Sequence, residues 1–222
     1  MSHEALRTSV AAASRRLADE GLLVGTSGNV SAREGAAVAI TPTGAVLADL
    51  VAEQVSVVDL DGRVIAGDLA PTSELALHLG IYDRYDAGAV VHCHAPVSTA
   101  LSCVIDELPC LHYQQLLLGG AVRVAPYATF GTPELAASVL DALQDRSAAL
   151  MANHGSVTHA ATLDAAVEHA VLLEWLACVY RDARLLGEPR TLDESQQTAV
   201  IEAALSRGYG STRPASPTGA SR

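Results

Sequence analysis

VVHCHAP, residues 90–96, is the most informative run of this chain. An apolar stretch, residues 87–91, leads into it and a proline closes it, which is typical of a short buried strand. Successive side chains of a strand point to opposite faces, so we expect His92 and His94 to share one face and Cys93 to take the other. Two histidines placed in this way are either core side chains with satisfied ring nitrogens or ligands of a metal.

A third histidine ends another predicted strand. The segment ALMANHG, residues 149–155, is typical of a strand that breaks into a turn at His154. Three histidines with an open position form a common catalytic zinc site, although the spacing alone does not establish one here. Glu74 and His78, four residues apart, are an alternative helical metal pair. We interpret four other histidines as ordinary terminal or exposed helical residues: His3, His78 if it is not a ligand, His159 and His169.

Composition and charge limit the classes of function. The 222 residues, half of them hydrophobic, suit one large α/β domain. Fourteen dispersed basic residues against 25 acidic ones give a net charge of −11, which argues against a nucleic-acid partner. We find neither an apolar leader nor a run of about 18 apolar residues, so we expect a cytoplasmic protein with no membrane partner. The four cysteines form no C-x-x-C pair and are expected to be reduced packing residues.

One residue type is absent from the chain. All fourteen basic residues are arginine, and there is no lysine. Without lysine the protein cannot form a side-chain Schiff base with a carbonyl substrate or with pyridoxal phosphate. Any carbanion formed in this protein therefore needs another electron sink.

Helical and strand patterns alternate along the chain, which predicts an α/β fold. Residues 1–210 are expected to form one domain, and the Ser/Pro-rich tail, residues 211–222, is expected to be disordered. Residues 21–33 are interpreted as a loop. We predict helices at 6–17, 72–85, 97–103, 133–143 and 162–186, with a last one after 191–194, and strands at 36–41, 55–60, 63–67, 87–91, 122–127 and 149–153.

Several turn and cap signals are specific enough to test. Asp61-Gly62 predicts a hairpin with a type I′ turn. Thr72 or Ser73 is predicted to cap a helix that has Glu74 in its first turn. Thr132 followed by Pro133 is a strong helix start, and Thr191–Glu194 is predicted to form a capping box.

Three loops combine glycine or proline with hydroxyl side chains. They are GTSGN at 25–29, TPTG at 41–44 and PTS at 71–73. Such loops can present backbone N–H groups and hydroxyls to an anion, and a helix beginning near Ser73 adds positive potential. A phosphate can therefore be bound without lysine, although none of the loops matches the P-loop pattern.

These motifs together carry a family resemblance. In chain order they are GTSGNVSAR, ITPTG, PTSE, VVHCHAP, ELPCLHY, APYATFGTPEL and NHG. In this order and spacing they resemble the class II aldolase/adducin-domain family, and within it the L-fuculose-1-phosphate aldolases, over roughly residues 6–209. The resemblance implies a three-layer α/β/α fold with a central, largely antiparallel sheet. It also implies a homotetramer with active sites at subunit interfaces.

The resemblance further implies a role for individual residues. His92, His94 and His154 match the ligands of one zinc ion per subunit, and Glu74 matches a carboxylate that first completes the metal site and then acts as the base. Tyr113 matches a proton donor that reaches in from a neighbouring subunit. Phe130 and Tyr209 match residues on the aldehyde side. The phosphate cradle is matched by Thr26, Gly28, Asn29, Thr43, Gly44, Thr72 and Ser73, where Thr72 replaces the usual serine.

The implied reaction is the reversible cleavage of a ketose 1-phosphate, such as L-fuculose 1-phosphate, to dihydroxyacetone phosphate and an aldehyde such as L-lactaldehyde. The charge of its enediolate must be held by a metal in a chain without lysine. Zinc lowers the pKa of bound water from 15.7 to about 7, which corresponds to roughly 12 kcal/mol of oxyanion stabilisation. General acid–base help from Glu74 and Tyr113 would add about 10²–10⁴-fold each.

Other functions fit the same fold. A ribulose-5-phosphate 4-epimerase shares the metal histidines but usually has aspartate in place of Glu74 and lacks an equivalent of Tyr113. A methylthioribulose-phosphate dehydratase, or an aldolase for another deoxypentulose or deoxyhexulose phosphate, stays open. A non-catalytic adducin-like module loses the metal set, whereas a structural zinc site in a non-catalytic oligomer would keep it.

Overall fold

A computed structural model describes residues 3–207, and a single sheet lies at its centre. In these residues the sheet has nine strands in the order β4-β3-β2-β1-β5-β9-β8-β7-β6. Neighbouring strands are antiparallel except β7 and β8, which are parallel. The strands are β1 Asn29–Glu34, β2 Ala37–Ile40, β3 Ser56–Asp59, β4 Val64–Ala66, β5 Ala89–Cys93, β6 Glu107–Leu108, β7 Val122–Ala125, β8 Ala148–Met151 and β9 Gly155–Ala160.

Helices cover both faces of the sheet. They are α1 Glu4–Asp19, α2 Leu75–Arg84, α3 Pro96–Ser102, α4 Pro133–Ala142, α5 Leu163–Leu186 and α6 Glu194–Arg207, with short 3-10 helices at Leu47–Asp49, Ala52–Gln54 and Tyr113–Leu118. One apolar cluster joins α1 and α5 to the sheet, and a second joins α2 and α4 to the opposite face. These layers confirm the expected three-layer α/β/α fold with a largely antiparallel sheet.

The central strand β5 shows how alternation places the histidines. Val91 and Cys93 pack in the cluster with α1 and α5, whereas Val90 packs in the cluster with α2 and α4. Both valines are fully buried, and burial of each contributes about 1.5–3 kcal/mol. His92 is two residues after Val90 and lies on the same face. It pairs with Asn29 of β1 on one side and with Val157 of β9 on the other.

Three of the nine strands in the described residues were not predicted from the sequence: β1, the two-residue β6 and β9. Residues 21–33 were predicted as loop, but the second half of that segment forms β1 in the middle of the sheet. The prediction was wrong because Ser31 and Asn29 interrupt the apolar pattern while being buried themselves. Strand β9 was also not predicted, since Gly155 and Ser156 at its start look like a continuing turn.

The predicted hairpin is present, but its turn type was wrong. Strands β3 and β4 pair in antiparallel fashion with a register shift between Val57 and Val58. Only Gly62 in this turn has a positive φ, of 83°, whereas a type I′ turn needs two such residues. The Gly62 N–H donates to the Asp59 carbonyl, as in a turn followed by a glycine bulge.

Two helix starts differ from the predicted ones. Helix α2 begins at Leu75, so Glu74 is its N-cap and not a first-turn residue. The Thr72 hydroxyl instead accepts a hydrogen bond from the Glu74 N–H, and so closes a turn before the helix. The capping box of α6 is formed by Asp193 and Gln196, each accepting from the backbone N–H of the other, and not by Thr191–Glu194.

The start signal at Thr132 is confirmed, and Thr162 caps the predicted long helix in the same way. The hydroxyls of Thr132 and Thr162 accept hydrogen bonds from the backbone N–H three residues later, at the starts of α4 and α5. The four cysteines form no disulfide. In residues 3–207 no helix is both long and apolar enough to cross a membrane.

Three histidines lie in other surroundings than predicted. His78 was expected to be exposed or a metal ligand, but it is fully buried between α2 and β1. His159 lies on β9 next to α5, and it is half-buried where an exposed residue was predicted, as is His169 on α5. The predicted tail, residues 211–222, lies outside the described residues, as does Tyr209.

Candidate active site

Three imidazoles converge at one end of the central strands. The Nε2 atoms of His92 and His94 are 2.9 Å apart, and the candidate ligand atoms of His92, His94 and His154 all lie within 4.8 Å of one another. The ring centroids are 4.8–4.9 Å apart in edge contacts, so the three rings surround one point. This is a group of residues that could hold a metal ion.

The backbone fixes the orientation of His92. Its Nδ1 lies 2.9 Å from the Ser156 carbonyl oxygen on the adjacent strand β9. A carbonyl only accepts, so Nδ1 carries the proton and Nε2 keeps its lone pair toward the centre of the cluster. Such a hydrogen bond to the second ring nitrogen is the usual way in which proteins orient a metal-binding histidine.

A close backbone approach brings His154 to the cluster. Gly155, next to His154, lies so close to β5 that a Cβ there would be 2.3 Å from the Cys93 carbonyl oxygen. Only glycine therefore lets the turn that carries His154 reach the end of β5. The preceding Asn153 has a φ of 56°, a conformation in which asparagine is favoured over most residues.

Glu74 lies against this cluster from the N-terminus of α2. Its Oε2 is 3.2 Å from the Nε2 of His92, and its Oε1 is 3.6 Å from the Nε2 of His154. Oε2 accepts a hydrogen bond of 2.9 Å from the side-chain amide of Asn29. Oε1 is buried and has no hydrogen-bond partner within residues 3–207. A buried carboxylate oxygen is costly unless a cation satisfies it, so these donors fit a divalent metal ion.

The pKa values of Glu74, His94 and His154 favour the protonation states that bind a metal ion. Burial would raise the pKa of Glu74, but the neighbouring His92 and the hydrogen bond from Asn29 hold it well below its usual range. Burial, together with the charge of His92, lowers the pKa of His94 and of His154 to about 4. Burial would also lower the pKa of His92, but the carboxylate of Glu74 raises it. At neutral pH Glu74 is therefore ionised, while His94 and His154 are neutral bases with lone pairs to offer.

An open cavity of about 460 Å³ leads to Glu74, His94 and His154. The bridge between Pro42 and Pro71 brings the TPTG and PTS loops side by side at its wall. All of the predicted phosphate residues line this cavity: Thr26, Gly28, Asn29, Thr43, Gly44, Thr72 and Ser73. The structure thus brings the three loops and the histidine cluster to one place. Among residues 3–207 no arginine lines the cavity, so within this part of the chain backbone N–H groups, hydroxyls and a metal would have to bind an anion.

The remaining predicted residues are placed differently. Phe130 lines the cavity mouth and is 66% exposed. Tyr113 starts a 3-10 helix, packs against His112 and lines a separate surface cavity with residues of α6. Within one chain it does not line the cavity at the histidines.

Other residues at this site were not predicted from the sequence. Ser156 holds His92 through its carbonyl, and His78 bonds to Asn29 from below the cavity. Further lining residues that were not predicted are Ser27, Pro42, Tyr127, Ala128 and Asn153. Only Asn153 carried a local signal, since an asparagine before His-Gly at a strand end favours a left-handed turn.

Comparison with known proteins identifies the family. The sequence model of the family described as Class II Aldolase and Adducin N-terminal domain matches residues 8–181. The chain belongs to this family. The match confirms the resemblance drawn from the ordered motifs.

Relatives of this class II aldolase-family chain span nearly its whole length. A 5-methylthioribulose-1-phosphate/5-deoxyribulose-1-phosphate aldolase of Rhodospirillum rubrum is 38% identical over 218 residues, which cover 97% of this chain and 98% of that protein. A 5-deoxy-D-ribulose 1-phosphate aldolase of Bacillus thuringiensis is 37% identical, covering 92% of this chain and 96% of that protein. The solved structure of an L-fuculose 1-phosphate aldolase superposes with a TM-score of 0.86 at 34% identity, covering 90% of this chain and 95% of that one.

Proposed function

We propose that this protein is a zinc-dependent aldolase that reversibly cleaves a ketose 1-phosphate to dihydroxyacetone phosphate and an aldehyde. The observation that carries the proposal is the meeting of three imidazoles and Glu74 at the end of a cavity walled by the three hydroxyl loops. The family membership and the names of its relatives support the same reaction class.

The histidines and Glu74 would hold the metal ion, and the ion would stabilise negative charge on the substrate. His92, His94 and His154 would hold the ion, with Glu74 beside them before substrate binds. When bound, the divalent cation supplies stabilisation of negative charge on the oxygens of the hydroxyketone. Since the chain has no lysine, this charge cannot be taken up by an imine.

Glu74 is placed to move the proton. It is ionised at neutral pH and lies next to the metal-binding nitrogens at the wall of the cavity. In the direction of synthesis it would remove a proton from the hydroxymethyl carbon of dihydroxyacetone phosphate, and in cleavage it would return that proton. The hydroxyl loops would bind the phosphate and so fix which hydrogen points at the carboxylate.

Tyr113 requires a second subunit in this proposal. It lies away from the cavity of its own chain, so it would serve as proton donor to the aldehyde oxygen only in the site of a neighbour. We therefore propose a homotetramer with active sites between subunits, working in the cytoplasm. The 3-10 helix of Tyr113 and helix α6 expose Leu117, Ile201 and Leu205, which would be buried in such contacts.

For the substrate, we favour a ribulose 1-phosphate with an apolar group at C5. The two relatives that match nearly the whole chain are named for 5-deoxy and 5-methylthio sugars. Tyr127, Ala128 and Phe130 give the cavity mouth an apolar wall that suits such a group. L-fuculose 1-phosphate is the second candidate, because the superposed structure is an aldolase for that sugar.

A panel of aldehydes tests this choice. Acetaldehyde, methylthioacetaldehyde and L-lactaldehyde are each offered with dihydroxyacetone phosphate, and kcat/KM and product stereochemistry are compared. We expect methylthioacetaldehyde or acetaldehyde to be preferred over L-lactaldehyde, since desolvating the extra hydroxyl against an apolar wall costs about 1–3 kcal/mol. A clear preference for L-lactaldehyde would contradict the C5-apolar assignment. A ketose phosphate that is consumed without release of any aldehyde would instead indicate an epimerase or a dehydratase.

Hydrogen exchange tests the reaction itself. Zinc-loaded protein is given dihydroxyacetone phosphate in deuterated water, and loss of one hydrogen from C3 is followed by NMR. We expect stereospecific exchange by the wild type. Glu74→Gln should reduce the exchange rate by about 10²–10⁴-fold while zinc stays bound, because the amide cannot take the proton. Absence of exchange in the wild type would refute the aldolase assignment, and full exchange in Glu74→Gln would remove Glu74 from the role of base.

A further inference from the structure

A buried chain of hydrogen bonds runs from Glu74 away from the cavity. Glu74, His78 and Tyr82 follow at intervals of four residues along one face of α2. Asn29 and Ser31, two residues apart on β1, face them from the sheet. Each of these residues is at most 6% exposed.

Side chains of α2 and of β1 alternate along this series of hydrogen bonds. The Asn29 amide nitrogen lies 2.9 Å from Glu74 Oε2, and its oxygen lies 2.5 Å from His78 Nε2. His78 Nδ1 lies 2.7 Å from the Ser31 hydroxyl, which lies 2.7 Å from the Tyr82 hydroxyl. The metal ligands and the substrate cavity do not include His78, Ser31 or Tyr82.

Only one proton arrangement satisfies this chain. The ionised Glu74 only accepts, so Asn29 must turn its N–H toward the carboxylate and its carbonyl toward His78. His78 must then donate from Nε2, which leaves Nδ1 as an acceptor for the Ser31 hydroxyl. Ser31 in turn accepts from the Tyr82 hydroxyl. Complete burial favours the neutral form of His78 that this arrangement requires, since its pKa is lowered to about 3.

The arrangement constrains the Asn29 amide. If the amide rotated by half a turn, its oxygen would face the carboxylate and its N–H groups would face an N–H of His78, so both contacts would be repulsive. An amide nitrogen carries two hydrogens, and Asn29 also lines the cavity. It can therefore donate one hydrogen to Glu74 and the other to an anion bound in the cavity.

We propose that His78 is a positioning residue that holds the Asn29 amide with its N–H toward Glu74 and so fixes the direction of the carboxylate. The inference rests on the proposed function in which Glu74 moves the substrate proton. His78 itself touches neither metal nor substrate in this account. Its effect passes through Asn29, and hydrogen-bonding partners one step beyond metal ligands typically change activity by 10–100-fold.

Two substitutions separate positioning from simple packing. In His78→Gln an amide N–H takes the place of Nε2 and can still donate to Asn29. In His78→Asn the shorter side chain reaches only the Nδ1 position, near Ser31. His169→Asn is a matched control, because His169 lies on α5 and bonds only to the His159 carbonyl among the described residues.

The experiment compares these variants in the full-length, zinc-loaded protein. Zinc content and thermal midpoint are measured first, followed by kcat and KM for exchange of the C3 hydrogen of dihydroxyacetone phosphate. We expect His78→Asn to lower kcat by about 10–100-fold with zinc retained, His78→Gln to recover most of that loss, and His169→Asn to match the wild type. Equal rates in His78→Gln and His78→Asn, whether both normal or both lowered in step with the thermal midpoint, would overturn the proposal.

A second readout does not depend on activity. Nitrogen-15 NMR of metal-free protein labelled at histidine, assigned by the signal lost in His78→Gln, reports which ring nitrogen of His78 carries the proton. A proton on Nε2 supports the proposal, whereas a proton on Nδ1 overturns it even if the wild type shows no exchange. Absence of exchange in the wild type with the Nε2 proton present would refute the proposed reaction and leave the positioning of Asn29 supported.

Discussion

His78 and His92 are both fully buried, yet their pKa values shift in opposite directions. Burial dominates at His78 and lowers its pKa to about 3. At His92 the adjacent carboxylate of Glu74 outweighs burial and raises the pKa. The interior His78 therefore reaches the Glu74 carboxylate through Asn29, whereas His92 at the candidate metal site contacts that carboxylate directly.

The neutral state of His78 predicts a pH dependence of stability. Its pKa is about 3 in the folded protein and 6.5 when unfolded, so between these values the unfolded chain binds the extra proton. This contribution to stability is present above pH 6.5 and is lost as the pH falls toward 3. In metal-free protein, the free energy of unfolding should therefore fall with decreasing pH more steeply in the wild type than in His78→Gln, by up to 1.36 kcal/mol per pH unit.

Urea unfolding at pH 7.5, 6.0 and 5.0 in the presence of a chelator measures this difference. His169→Asn provides the comparison for a histidine that is only partly buried. Coincident slopes for wild type and His78→Gln would show that His78 is protonated in the folded protein.

Residue patterns reveal part of this site. Alternation predicted that His92 and His94 share a face, and the predicted strand end made His154 a candidate third ligand, although spacing alone did not establish the cluster that the structure shows. His78 could not be found in the same way, because the helical pattern of α2 does not show which polar residue faces the sheet. Burial of His78 depends on Asn29 and Ser31 in β1, a strand that the sequence reading missed.

At the scale of elements, helix α3 follows directly from the histidine strand and depends on a distant residue for its start. Its N-cap, Ala95, has no side chain that can accept a hydrogen bond. The Glu174 carboxylate of α5 accepts from the backbone N–H groups of Val97 and Ser98, each at 2.8 Å, and from the Ser98 hydroxyl. This carboxylate holds the chain that leaves His94.

Loss of that carboxylate should destabilise the fold. Hydrogen bonds to a charged group contribute about 1.5–3 kcal/mol each, so we expect Glu174→Ala to lower the free energy of unfolding by about 2–4 kcal/mol. Glu168→Ala on the same helix is the control, since Glu168 forms only an exposed ion pair with Arg16 among the described residues, worth about 0–1 kcal/mol. Equal losses in the two variants, measured by urea unfolding, would show that Glu174 does not anchor α3.

The helix starts differ in whether a local sequence signal predicts them. Thr132 could be predicted as a cap because the cap and its helix are adjacent in sequence. The anchoring of α3 by Glu174 could not be predicted from the sequence pattern. The partners are more than 70 residues apart and meet only when α5 packs on the sheet. The start of α6 was misplaced by two residues because Asp193 and Gln196 form a second box that overlaps the predicted one.

On the scale of the whole molecule, one chain carries a cavity that lacks its proposed proton donor. Tyr113 lies beside α6, whose residues are all at least partly exposed. Leu117 and Leu205 in the same region are 58% and 79% exposed. The number of subunits could not be predicted from the residue pattern, because an apolar surface does not specify the symmetry of its partner.

Mixing of inactive variants tests whether Tyr113 acts in a neighbouring subunit. Glu74→Gln and Tyr113→Phe proteins are unfolded together, refolded, and assayed for aldol cleavage. If active sites form between subunits, random mixing should give about a quarter of the sites an intact Glu74 and an intact Tyr113. Activity would then exceed the sum of the separate variants. A mixture no more active than that sum would place Tyr113 outside the neighbouring site.

The proposed chemistry depends most on a metal held by His92, His94 and His154. Its most direct measurement is the rate of C3 hydrogen exchange in dihydroxyacetone phosphate, followed as zinc is removed by a chelator and then returned, with zinc per chain and circular dichroism recorded at each step. We expect one zinc ion per chain, a rate that disappears with the metal while the fold stays intact, and recovery on adding one equivalent. An undiminished rate in protein shown to be free of metal would contradict the account.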